Sequence, residues 1–102
     1  MVQISIQTMS DVICVQLSGE LDVVATSNQA DELQEVLNLA DKALLIDCSG
    51  LEYISSVGLR FFMKLKKESQ AKGGSIRIAH LSESVAEIFS MSGFQNIFEI
   101  EK

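Results

Sequence analysis

Two adjacent serines, Ser55 and Ser56, stand in the stretch "GLEYISSVGLRFF" between an apolar run and the start of a helix-like segment. A helix leaves its first four N–H groups without intrahelical partners, and one serine hydroxyl is enough to cap them. Either serine suits the cap, which leaves the other free to face solvent where the local potential favours anions. A hydroxyl in that place can be converted to a phosphoserine of about −1.5 to −2 charges without opposing the fold, and the same charge would spoil a docked partner. Nucleophilic catalysis fits worse, because a nucleophile elbow needs glycine two residues either side of the serine and position 54 is Ile54. The only histidine, His80, ends a strand and reads as structural. No carboxylate pair has acid/base spacing, and neither GxGxxG nor a Walker loop occurs, so Gly73–Gly74 reads as a turn. Cys14 and Cys48 lie in strand-like apolar stretches without CxxC spacing or a neighbouring histidine. They read as buried, reduced small hydrophobes, and no cofactor or metal is expected.

Five strands and three helices must position the serine pair. "VQISIQ" alternates apolar and polar residues through Val2, Ile4 and Ile6, and "DVICVQLSG" repeats the pattern, so the first two strands form an antiparallel hairpin. From about Val24 to Ala40 the period becomes helical, with Ala30, Leu33, Val36, Leu37 and Ala40 on one face. Asp22 suits an N-cap or a first-turn anion for that helix. "KALLIDCSG" places Ala43, Leu44, Leu45 and Ile46 in succession, as in a strand covered on both faces. A second helix runs from about Ser56 to Gln70 and stops at "AKGGS". "SIRIAH" is a further strand, Ser82 caps a short third helix ended by Gly93, and "NIFEI" closes the chain as a strand. The order β-β-α-β-α-β-α-β predicts an α/β fold, a mixed β-sheet with helices packed against it.

On the second helix, Phe61, Leu65, Phe62, Leu59 and Met63 spread over an arc of about 200°, wider than one core-facing stripe requires. Two readings follow: the flanking loops cover the helix, or one edge of the arc, Phe61/Leu65 or Leu59/Met63, forms a partner-binding rim beside the hydroxyl pair.

At 102 residues the chain has the length of one domain, spanning 1–102. Its net charge of −6 argues against nucleic acid and against an anionic membrane surface. Neither a signal peptide nor an apolar run of spanning length is legible, so a cytoplasmic location is expected.

"LSGELDVVAT", "LLIDCSGLEYISSVGLR" and "FSMSGFQNIFEI" together resemble the STAS domain, in particular the stand-alone anti-sigma factor antagonists of bacteria. The resemblance covers nearly the whole chain. It implies a non-enzymatic partner switch: the unmodified protein binds an anti-sigma factor that is also a serine kinase of the histidine-kinase ATPase type. Phosphorylation of the serine at the start of the second helix abolishes binding, and a PP2C-type phosphatase restores it. Alignment of the motif's glycine and leucine with Gly58 and Leu59 puts the acceptor at Ser56, with Ser55 as a rival. Asp22 falls at the family's acidic position close to that serine. The implied binding surface comprises Asp22, Ser55, Ser56, Val57, Gly58, Leu59, Phe61 and Met63. One departure stands out: the family usually has Asp immediately before the acceptor, where this chain has Ser55. That departure motivates the alternative of a non-phosphorylated STAS scaffold or sensor module in a larger signalling assembly.

Overall fold

The structure, a computed structural model, describes residues 1–101. Its elements in chain order are β1 (Val2–Met9), β2 (Val12–Leu21), α1 (Val23–Asn28), α2 (Ala30–Leu37), β3 (Ala43–Ile54), α3 (Ser56–Lys72), β4 (Ser75–Ala79), α4 (Glu83–Ser92) and β5 (Glu99–Glu101). The strands form one sheet in sequential order, with β1 antiparallel to β2 and every later neighbour parallel. Three successive parallel crossovers of the same hand, always to the next strand, bring every helix onto one face of the sheet.

The register shows the consequence. Val15, Ile46 and Ile78 are register neighbours and lie buried in a single core with Ala25, Val36, Phe62, Leu65, Val85 and Phe89 from the helices. The alternate residues Gln16, Asp47 and Glu101 point to the face without helices, as do Cys14, Leu45 and Arg77. β3 is therefore not covered on both faces as its apolar run suggests. Leu44 and Ile46 are buried, whereas Ala43 and Leu45 are half-buried, Leu45 between Cys14 and Arg77 of the neighbouring strands. Arg77 spans the open face to Glu101, with Nη1 2.6 Å from Oε2.

The predicted helix over Val24–Ala40 is two helices. Gln29, at φ −117° and ψ 28°, separates α1 from α2, and Ala30, expected inward, is exposed. Neither glycine nor proline marks the break. What holds it is a tertiary contact: the buried Gln29 side chain accepts from Val2 N–H (2.9 Å) and donates to Val2 C=O (2.6 Å), so it closes the start of β1 like a further strand. Gln29→Leu would leave both backbone groups of the buried Val2 unpaired. The expected loss is about 1–3 kcal/mol, read as a lower urea midpoint at unchanged slope.

Two smaller differences sit at the ends of the chain. Ile6 is exposed on the edge strand, and the closing strand starts at Glu99 because Phe94–Asn96 make a 3-10 turn.

Both cysteines are free and buried, Cys48 in the core and Cys14 on the other face. Burial, with a smaller push from the Asp47 carboxylate, raises the Cys48 thiol from an ordinary 9.0 to about 12. Between those values only the unfolded chain releases this proton, so the contribution to stability is complete below pH 9 and lost as pH rises towards 12. At about pH 10.5 the loss is about 2 kcal/mol. Cys48→Ala should flatten the alkaline fall in urea midpoint by that amount.

Candidate functional site

The site lies where β2 and β3 leave the sheet. Leu21 and Ile54 are paired in register, so the next residues, Asp22 and Ser55, emerge side by side on strands about 4.8 Å apart. Each starts a helix. Asp22 caps α1, its Oδ1 accepting from Ala25 N–H at 2.9 Å. Ser55 caps α3, its Oγ accepting from Gly58 N–H at 3.3 Å and donating to Leu21 C=O at 3.4 Å. The Ser55 N–H also donates to Leu21 C=O, at 3.0 Å, which locks the α3 tip onto the end of β2.

Gly58 makes that lock possible. A Cβ at this position would lie 2.5 Å from the Leu21 carbonyl oxygen and 2.7 Å from Ile54 Cγ1. Gly58 is buried, so it positions the tip and offers no surface of its own.

The two serines thus have different environments. Ser55 is half-buried and committed to the backbone at both its donor and its acceptor. Ser56, the first residue of α3, is exposed, and its hydroxyl makes no hydrogen bond among the described residues. α2 and α4 carry carboxylates in their first turns, at Asp31, Glu32 and Glu83, and α3 carries none. The positive pole beneath Ser56 is therefore uncompensated by any carboxylate of its own turn.

An apolar shoulder lies along the paired ends of β2 and β3 and the first turns of α1 and α3. Val23 is 57% exposed, Val24 52% and Tyr53 46%. Val57, Leu59, Phe61 and Met63 are half-buried, and Phe62 and Leu65 are core. The two proposed edges of the α3 arc therefore share the exposure. Phe61 stays accessible on one flank but Leu65 does not, while Leu59 and Met63 stay accessible on the other. Val57 and Phe61 line a shallow groove of about 280 Å³ against Thr26 of α1 and Ala30 and Leu33 of α2. Val23, Val24 and Tyr53 were not expected at the site. The signal for the valines was legible: two large apolar residues directly after a capping Asp fall outside the inward face of the helix that follows. Tyr53 is exposed because it precedes the buried Ile54 on β3 and alternation turns it outward; the two bulges of β3 against β2, between Asp47 and Gly50 and again between Leu51 and Tyr53, cancel in their effect on its side.

Asp47 supports the first bulge. Partial desolvation opposes its ionisation, yet hydrogen bonds from the Ser49 N–H, the Ser49 hydroxyl and the Gln16 side chain, with His80 nearby, hold its carboxyl below the usual value. The Ser49 bond is 2.9 Å. His80, at φ +62°, lines a cavity of about 520 Å³ between β4, α4 and β5. That cavity shares no residue with the Ser56 surface, and no cluster of three metal-ligating side chains occurs among the described residues. No described helix is long and apolar enough to cross a membrane.

Comparison with known proteins agrees with this fold. The STAS domain family model matches residues 3–102. BtrV of Bordetella bronchiseptica is 29% identical over 82% of this chain and 72% of its own. The anti-sigma-B factor antagonist of Bacillus subtilis is 27% identical over 97% of this chain and 90% of its own. An anti-sigma factor antagonist from Mycobacterium paratuberculosis superimposes with a TM-score of 0.83 at 21% identity, covering 98% of this chain and 85% of the other. SpoIIAA of Bacillus in its phosphorylated form superimposes with a TM-score of 0.67 at 16% identity, covering 100% of this chain and 92% of the other.

Proposed function

The chain belongs to the STAS domain family, and from that premise we propose that it is an anti-sigma factor antagonist switched by phosphorylation of Ser56. Unmodified, it binds an anti-sigma factor that is also a serine kinase of the histidine-kinase ATPase type. Phosphorylation by that kinase ends the complex, and a PP2C-type phosphatase restores it. The observation that carries this reading is the division of labour between the serines. Ser55 is spent on capping, and Ser56 is presented unbonded at an uncompensated helix tip beside an apolar shoulder.

The family's Asp before the acceptor is replaced here without loss of its local job, because Ser and Asp cap helices about equally well. The replacement also removes a negative charge next to the future phosphate. Relatives named as anti-sigma factor antagonists support the class of partner, and a neighbour solved in a phosphorylated form supports a fold that tolerates the modification.

The test is mass spectrometry of protein purified from its own cells while the kinase is active. Phosphoserine is expected at Ser56, lost in Ser56→Ala and retained in Ser55→Ala. Phosphate at Ser55 would overturn the assignment. Complete absence from residues 51–60 would favour a constitutive scaffold, the reading that the missing Asp motivates.

A further inference from the structure

α3 carries five of the chain's eight Lys and Arg side chains and only one of its fourteen carboxylates, in a protein of net charge −6. Three of these cations form a line. Steps of four, four and three residues from Ser56 reach Arg60, Lys64 and Lys67, and at 100° per residue all four positions share one face. All four residues are exposed. Arg60, Lys64 and Lys67 have no ion-pair partner among the described residues, where the pairs are Lys42–Asp41, Lys72–Glu68 and Arg77–Glu101. Arg60 and Lys64 also border the groove that Val57 and Phe61 line.

We propose that the Arg60–Lys64–Lys67 line is the electrostatic half of the docking surface and that it receives an acidic protein surface on the partner. This deepens the Ser56 reading and rests on it for the identity of the partner. An overall acidic molecule repels nucleic acid and other acidic proteins at long range, so a local cationic line selects only a partner whose acidic patch can be placed against it. The line also gives the phosphate a second way to act. Ser56 and Arg60 are one turn apart, the spacing at which oppositely charged side chains meet on a helix. A phosphate there pairs with Arg60 and reduces the line from about +3 to about +1. The partner then loses its steering as well as its fit.

The test measures association and dissociation rates of the separately purified anti-sigma factor kinase, without nucleotide, at low and high ionic strength. The protein is compared with the triple variant Arg60→Gln, Lys64→Gln, Lys67→Gln, whose fold is checked by circular dichroism. The wild-type association rate should fall about tenfold or more with salt. The triple variant should associate about tenfold more slowly at low salt, with a flattened salt dependence and a dissociation rate within about threefold. A second readout needs no partner: in the Ser56-phosphorylated protein, Arg60→Gln should raise the second pKa of the phosphate seen by 31P NMR. Unchanged association with the wild-type salt dependence would overturn the proposal. So would a line whose only effect is on self-association, since the occupant would then be a second copy of the chain. If the triple variant slows association while phosphorylation leaves binding intact, the cationic line stands and the Ser56 switch fails; the reverse outcome separates them the other way.

Discussion

Ser56→Asp is expected to weaken binding to the anti-sigma factor kinase by at least about 100-fold, while Ser56→Ala stays within about threefold of the unmodified protein. The asymmetry follows from where the residue sits. Ser56 makes no hydrogen bond of its own among the described residues, so removing its hydroxyl costs the fold nothing that the structure shows. An aspartate at the same place remains welcome in the free protein, because the α3 tip has no first-turn carboxylate and its amide dipoles favour an anion. Docking reverses that balance. The partner must cover the shoulder formed by Val23, Val24, Tyr53 and Val57, so a negative charge at position 56 is either enclosed unpaired or withdraws Arg60 from the partner. Leaving one member of an enclosed charge pair without its counterpart costs about 3–5 kcal/mol. That corresponds to more than two decades in affinity. A phosphate carries about twice the charge, which approaches the ~5.5 kcal/mol needed to invert a complex from 99:1 to 1:99. The thermal midpoint of the Asp variant should stay within about 2 °C of the parent, since a change below about 0.5 kcal/mol shifts a domain of this size by little more.

Gly58→Val is expected to be the most destabilising single change at the site, by at least about 3 kcal/mol, or about 12 °C or more in thermal midpoint. Even a first carbon at this position meets the Leu21 carbonyl oxygen at 2.5 Å, and that oxygen is held by two donors from Ser55. It belongs to backbone and cannot turn aside like a flexible side chain, so relief requires the α3 tip to lift. Lifting it breaks the Ser55 cap and displaces Ser56 from the shoulder, so binding should fall with stability. Gly73→Ala is the control. Gly73 takes φ +77° at the other end of α3, where an added Cβ meets nothing within 4 Å. The cost there is conformational only, about 1 kcal/mol, and binding should be unaffected. Equal losses of binding in the two variants would mean that Gly58 acts through global stability and not through the placement of Ser56.

Much of this architecture was legible in local pattern. The serine pair, the helix that follows it and the capping role of Asp22 rest on interactions within a few residues, and such interactions leave a readable trace. The break at Gln29 left none, because its cause is Val2, 27 positions away. The run Ala43–Ile46 suggested cover on both faces because local hydropathy does not distinguish a helix packed on a strand from the half-shelter of neighbouring side chains. The burial of Leu51 depends on the bulge between Asp47 and Gly50, whose register slip no alternation rule anticipates. Ser55 and Ser56 could not be told apart by type, since either could cap. Only the meeting of Leu21 with Ile54 in the sheet decides which hydroxyl is consumed.

Isothermal titration of the stoichiometrically Ser56-phosphorylated protein into its kinase partner, followed by the same titration after PP2C treatment, addresses the switch without a mimic. No measurable binding before phosphate removal and full recovery afterwards, with superimposable circular dichroism spectra throughout, is the expected result. Undiminished binding by the phosphoprotein would contradict a charge gate at the α3 tip.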